Sequence, residues 1–135
     1  MKTVIIDASI GVKWFFEEID SEKAETILQQ TAEAELKLLV PELFFYEIAN
    51  VVISKKQSKS IKEIQQALTL LHFDIYELGL SFIDKIVNIA NIYTLSFYDA
   101  CYVTVLKETN YEFITADKRL FDKIKKHFPQ AKLLS

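Results

Sequence analysis

Short runs of β-branched and aliphatic residues alternate along this chain with stretches whose apolar side chains recur every three to four positions. Lys2–Ile6, Leu36–Val40, Glu112–Thr115 and Ala131–Leu134 read as strands, and Phe73–Leu78 as a short extended piece. Between them lie helical patterns. Ser9 is placed to cap a helix over Ile10–Glu18, and Asp20 or Ser21 to cap one carrying Ala24, Ile27, Leu28 and Thr31. Pro41 stands where a helix reaching about Lys56 would begin. After a polar connection at Gln57–Lys59, Ser60 and Glu63 form a capping box for a helix carrying Ile61, Ile64, Ala67, Leu68 and Leu71. Ser81–Tyr93, Phe97–Lys107 and Lys118–His127 complete the helices. Apolar strands separated by helices imply a parallel sheet covered on both faces.

The 135 residues suit one domain spanning 1–135, and a chain that is 50% hydrophobic is not disordered. No run approaches the ~20 apolar residues of a membrane span. The N-terminus enters a strand without a signal-peptide pattern, and the single cysteine, Cys101, lies in an apolar helical run. A core thiol in a cytoplasmic, reducing setting is expected. Only Gly11 and Gly79 are glycines, which excludes the glycine-rich phosphate loops of nucleotide-binding folds. The net charge is −3, but it is uneven: residues 1–54 balance to −6 and residues 55–135 to +3. The basic C-terminal part reads as a solvated face or as an edge that meets phosphates.

Four carboxylates occupy positions that burial should disfavour. Asp7 ends the first strand, Glu47 lies inside the apolar stretch Leu43–Ile53, Asp99 opens Ala100–Leu106, and Asp117 follows Phe113–Thr115. Separate burial of four acids is costly, and clustering them raises the cost unless a cation joins them. One acidic pocket for a divalent metal explains all four. Each acid also has a structural reading. Asp117 can cap the following helix, Asp99 fits a capping box with Ser96, and Asp7 can serve a turn. Glu47 has the weakest such reading, because its helix offers it no cation; Asn50 shares its face. Ser9 and Thr115, each two residues from an acid, are placed to orient a carboxylate or a water. Two histidines and one cysteine are too few for a zinc site, and all-oxygen ligation suits Mg²⁺ or Mn²⁺.

The segments VIIDASIGVKWF, VPELFFYEIANVV, LSFYDACYVTVL and FITADKRL, in that order, resemble the PIN-domain ribonucleases, and among them the VapC-type toxins of toxin–antitoxin pairs. The resemblance covers essentially the whole chain. It implies a three-layer α/β/α sandwich around a parallel sheet of four or five strands. It implies Asp7, Glu47, Asp99 and Asp117 as catalytic and metal-holding acids, with Ser9, Asn50 and Thr115 as supporting polar groups. It further implies endoribonuclease activity by metal-activated water, with Mg²⁺ or Mn²⁺ as cofactor, and a small antitoxin partner. The alternatives are a catalytically inactive PIN-like interaction module and a DNA-directed nuclease of related fold. Trp14, Phe15 and Phe16 are consecutive on a short helix and cannot all face one core, so at least one is expected to be exposed or only partly covered; the resemblance implies them as the residues that meet the antitoxin. Phe45, Tyr46, Ala49 and Val52 extend the apolar cover of the Glu47 helix and predict a homodimer.

Overall fold

Continuous aliphatic strands belong in the middle of a sheet, and that is where the first one lies. A computed structural model describes residues 1–55 and 60–135. Its strands are β1 (Lys2–Ile6), β2 (Leu36–Pro41), β3 (Asp74–Tyr76), β4 (Glu112–Thr115) and β5 (Ala131–Leu133). They form one parallel sheet in the order β3-β2-β1-β4-β5. Register pairs Ile5 with Leu39 of β2 and with Phe113 of β4. Val4, Ile5 and Ile6 are buried, as a strand covered on both faces requires.

The helices are α1 (Ala8–Phe15), α2 (Ser21–Ala32), α3 (Leu43–Lys55), α4 (Ile61–Leu70), α5 (Ile83–Tyr93), α6 (Phe97–Thr109) and α7 (Lys118–Ile124). The first two crossovers, β1 to β2 and β2 to β3, step toward one edge of the sheet. Right-handed connections therefore put α1 to α4 on one face. The chain then returns across the sheet to β4 and continues to β5, which puts α5 to α7 on the other face. Packing agrees: α1 contacts α2 and α3, while α5 contacts α6. The result is the expected α/β/α sandwich with five strands. The strand order reverses between β1 and β4, so their C-terminal ends frame a switch-point crevice of the kind where open parallel sheets bind ligands.

Gly11 lets α3 lie close to α1. A methyl group there would sit 2.7 Å from Phe44 Cζ and 2.8 Å from Ile48 Cδ1, both on buried side chains of α3. This approach brings the helix carrying Glu47 against the helix that follows Asp7.

The structure corrects several local expectations. Pro41 does not open α3; it ends β2, where it pairs with Tyr76. A missing N–H suits a strand end as well as a helix start. Ser9 does not cap α1, whose N-cap is Asp7, because its hydroxyl is used elsewhere. The segment before α5 begins as a 3-10 turn at Leu80–Phe82. α7 ends at Ile124 rather than His127, and β5 at Leu133 rather than Leu134. The polar connection expected at Gln57–Lys59 lies outside the described residues.

The aromatic triplet is divided between core and partial cover. Trp14 and Phe16 belong to the core, at 9% and 6% exposure, and Phe15 is partly buried against it. Trp14 Nε1 donates to the Ala24 carbonyl at 2.9 Å and so ties α1 to α2. α1 is packed by α2 and α3 as well as by the sheet, so a helix this short can bury aromatics in more than one direction. Trp14 and Phe16 have little surface left to offer a partner.

Candidate active site

Three of the four acids, Asp7, Asp99 and Asp117, stand at helix beginnings, and Glu47 lies one turn into its helix. Asp7 directly follows β1 as the N-cap of α1, yet its carboxylate caps no helix N–H. Asp117 is the N-cap of α7, where its Oδ1 accepts the Leu120 N–H at 3.2 Å. Asp99 lies in the first turn of α6 and donates its N–H to Ser96 Oγ at 3.0 Å, as the capping spacing predicts. Glu47 is in the second turn of α3.

Asp7 is 5% exposed, and both its oxygens are held. Ser9 Oγ donates to Oδ1 in a short hydrogen bond, and Thr115 Oγ1 donates to Oδ2 at 2.5 Å. The same hydroxyls accept backbone donors beyond β4: Ser9 Oγ accepts the Ala116 N–H at 2.9 Å, and Thr115 Oγ1 accepts the Asp117 N–H at 3.0 Å. The four bonds join the corner after β1 to the corner after β4. Ser9 and Thr115 thus both hold the Asp7 carboxylate; Thr115 reaches it across the sheet and meets Asp117, its neighbour in sequence, only at the backbone N–H. Burial pushes the Asp7 carboxyl up to about 7; the two hydroxyls oppose the rise, and the charges of Asp99 and Glu47 add to it.

The other acids respond to one another as well. Burial raises Glu47, a hydrogen bond from Tyr102 partly offsets this, and Asp99 raises it further. Burial and then Asp117 raise Asp99, while Lys123 and Ser96 lower it. The charges of Asp99 and Glu47 thus act on Asp7, that of Asp99 on Glu47, and that of Asp117 on Asp99. Among the described residues, no three His, Cys, Asp or Glu side chains converge as a ready-made cation cage. The donor set nonetheless suits a hard divalent ion: it is all carboxylate, it is partly desolvated, and it carries unrelieved like charge.

Asn50 lines a groove of about 400 Å³ together with Ser9, Lys13 and Glu47, but it is itself exposed. Lys13 donates to the Ile19 carbonyl at 2.6 Å and pairs with Glu18 at 3.4 Å. Burial pushes the Cys101 thiol up to about 11, the behaviour expected of an inert core thiol.

Two neighbours of the acids were not anticipated. Tyr102 Oη donates to Glu47 Oε1 at 2.6 Å. Lys123 Nζ donates to the Thr94 carbonyl at 2.7 Å, beside the Ser96 cap, and its charge reaches Asp99. Tyr102 had one visible signal, its place three residues after Asp99 on the same helix face. Lys123 had none beyond membership of a basic tail.

Comparison with known proteins settles the family. The sequence pattern described as PIN domain matches residues 4–127. The chain belongs to the PIN domain family. PIN domains are generally nucleases and typically depend on divalent metal. A solved structure of PAE2754 from Pyrobaculum aerophilum superposes with a TM-score of 0.66 at 19% identity, covering 98% of this chain and 91% of that one. A toxin–antitoxin complex from Klebsiella pneumoniae contains a chain similar at a TM-score of 0.66 and 17% identity, covering 96% and 95%. At these identities the two structures speak for the fold alone. No curated protein matches the sequence significantly.

Proposed function

We propose that residues 1–135 form a single PIN domain acting as a metal-dependent endoribonuclease, the toxin of a type II toxin–antitoxin pair. The observation that carries the reading is the buried Asp7 carboxylate, pushed up to about 7 in a crevice it shares with the charges of Asp99 and Glu47. A protein without use for those acids gains stability by losing them.

Asp7 and Asp99 would hold Mg²⁺ or Mn²⁺, with Glu47 and Asp117 completing the acidic set. The ion, when bound, supplies neutralising charge for an RNA phosphodiester and lowers the pKa of the attacking water. The chain's own residues do the rest. Ser9 and Thr115 hold the Asp7 carboxylate in one orientation through their bonds to it and to the backbone beyond β4. Asp117 keeps one oxygen on the helix it caps. Lys123, the cation acting on Asp99, would add positive charge for a phosphate that approaches the acids.

The partner reading draws on the similarity to a chain from a toxin–antitoxin complex. A small antitoxin would bind this chain in the cytoplasm and restrain it. No helix among the described residues is long and apolar enough to cross a membrane. Tyr46 and Ile53 of α3 are well exposed, and Phe45, Ala49 and Val52 are partly covered, which supports self-association through this helix as a homodimer.

The test is cleavage of single-stranded and structured RNAs, and of DNA, with Mg²⁺, with Mn²⁺ and with EDTA. Metal-dependent cutting of RNA that Asp7→Asn and Asp99→Asn both abolish is expected. Activity that survives EDTA, or near-normal turnover by either folded variant, refutes the site. Cleavage restricted to DNA refutes the substrate.

A further inference from the structure

Helix α6 brings two polar groups to the acidic crevice. Its start is set by Ser96, which fixes Asp99 in the first turn. Tyr102 lies three positions on, on the same face, in a stretch where every residue from Ala100 to Leu106 is buried. The Tyr102 ring is stacked on Phe113 of β4, with centroids 6.3 Å apart and planes at 16°. A ring held this way has one place for its hydroxyl. That place is against Glu47 Oε1, at 2.6 Å. The Ala8 N–H also acts on the phenol oxygen. It belongs to the first residue of α1, where helix N–H groups lack intrahelical acceptors.

This bond joins helices from opposite faces of the sheet, α6 and α3, around its C-terminal edge. Among the described residues this is the one hydrogen bond made by the Glu47 side chain, and none of them partners Oε2. A buried tyrosine needs an acceptor, but a backbone carbonyl would serve. Spending a half-buried carboxylate on that task is unfavourable, since an apolar pair of similar size would pack without desolvating a charge. The arrangement is explained if Glu47 is kept for the crevice and Tyr102 for Glu47.

We propose that Tyr102 is a positioning residue of the acidic site: its hydroxyl fixes Glu47 Oε1 and so holds this carboxylate beside Asp7 and Asp99 for cation binding. The inference rests on the nuclease reading and adds to it a residue that touches neither substrate nor metal.

The experiment compares the wild type, Tyr102→Phe, Glu47→Gln and the double variant. Phenylalanine keeps the ring and its stacking and removes only the O–H. Mn²⁺ binding is titrated calorimetrically, melting is followed in EDTA, and kcat, KM for a single-stranded RNA and the half-activating Mn²⁺ concentration are measured. Tyr102→Phe should weaken Mn²⁺ binding and raise the half-activating concentration roughly tenfold, the scale on which partners of metal ligands act. KM for RNA should not move. In the Glu47→Gln background the substitution should have no further effect on Mn²⁺. A Tyr102→Phe protein that binds Mn²⁺ like the wild type, or loses the same factor with and without Glu47, overturns this inference while the nuclease reading stands. A wild type that binds no Mn²⁺ overturns both. Should Tyr102→Phe fail to fold, Glu47→Asp reads the link from its other end, because the shorter side chain leaves the hydroxyl's reach. Its Mn²⁺ binding is expected to weaken by a similar factor, and unchanged binding overturns the proposal.

Discussion

Neutralising Asp7 should stabilise the metal-free protein, and by an amount that grows with pH. The carboxyl is 5% exposed and its value rises from 3.8 to about 7 on folding, chiefly through burial. The folded-state value lies above the unfolded one, so the unfolded chain ionises first. The stability associated with protonated Asp7 is complete below about pH 4 and is lost as the pH rises through about 7. At ~1.4 kcal/mol per unit, the whole penalty is roughly 4 kcal/mol. Linkage spreads it as under about 1 kcal/mol at pH 4, about 2 at pH 5 and about 4 by pH 8. Asp7→Asn removes this penalty but must rearrange the hydroxyls of Ser9 and Thr115, since an amide offers one acceptor where the carboxylate offers two. That costs about 1 kcal/mol. Urea unfolding in EDTA should therefore find the variant within about 1 kcal/mol of the wild type at pH 4 and roughly 3 kcal/mol more stable at pH 8. Taking the difference between the two proteins cancels the titration of groups remote from Asp7. A difference that stays flat across this range, or a variant less stable than the wild type at pH 8, would refute the claim that Asp7 is held at an electrostatic cost.

The remaining predictions concern the ion and the packing that supports the site. Mg²⁺ or Mn²⁺ at millimolar concentration should raise the melting temperature of the wild type at pH 8 by binding the native state, and should raise that of Asp7→Asn much less; equal shifts measured by scanning fluorimetry would put the ion elsewhere. Gly11→Ala should destabilise the protein by roughly 1–3 kcal/mol, because the added methyl meets Phe44 and Ile48 at under 3 Å; helix propensity returns less than that, and a gain in urea stability would contradict the contact. Trp14→Ala should cost about 3–5 kcal/mol in the same assay, since it empties a core position and leaves the Ala24 carbonyl without its indole donor; a cost under 1 kcal/mol would restore Trp14 as a surface anchor.

What could be read from the sequence was whatever local chemistry determines. A strand covered on both faces must be aliphatic throughout, so β1 and β2 were legible as runs, and the three-residue β3 was legible only as an extended piece because Asp74 and Ile75 are exposed. Ser96 and Asp99 were legible because a helix cap is a contact between near neighbours. Errors arose where one local pattern serves two tertiary ends. Pro41 fits a helix start and a strand end equally well, and only the pairing with Tyr76 distinguishes them. Ser9 is spaced to cap a helix, but Asp7 and the Ala116 N–H, 107 positions away, hold its hydroxyl instead. The bond from Tyr102 to Glu47 spans 55 positions and two faces of the sheet, so no window on the sequence contains it. The acids were a middle case. Each stood out because burial and charge conflict within its own segment, but their closeness depends on the strand order reversing between β1 and β4. That reversal brings Asp7 and Asp117 to adjacent strand ends, the approach of α3 at Gly11 brings in Glu47, and the return crossover delivers Asp99 from the opposite face. Three packing decisions therefore bring acids from separate elements within electrostatic reach of one another, which none of them favours.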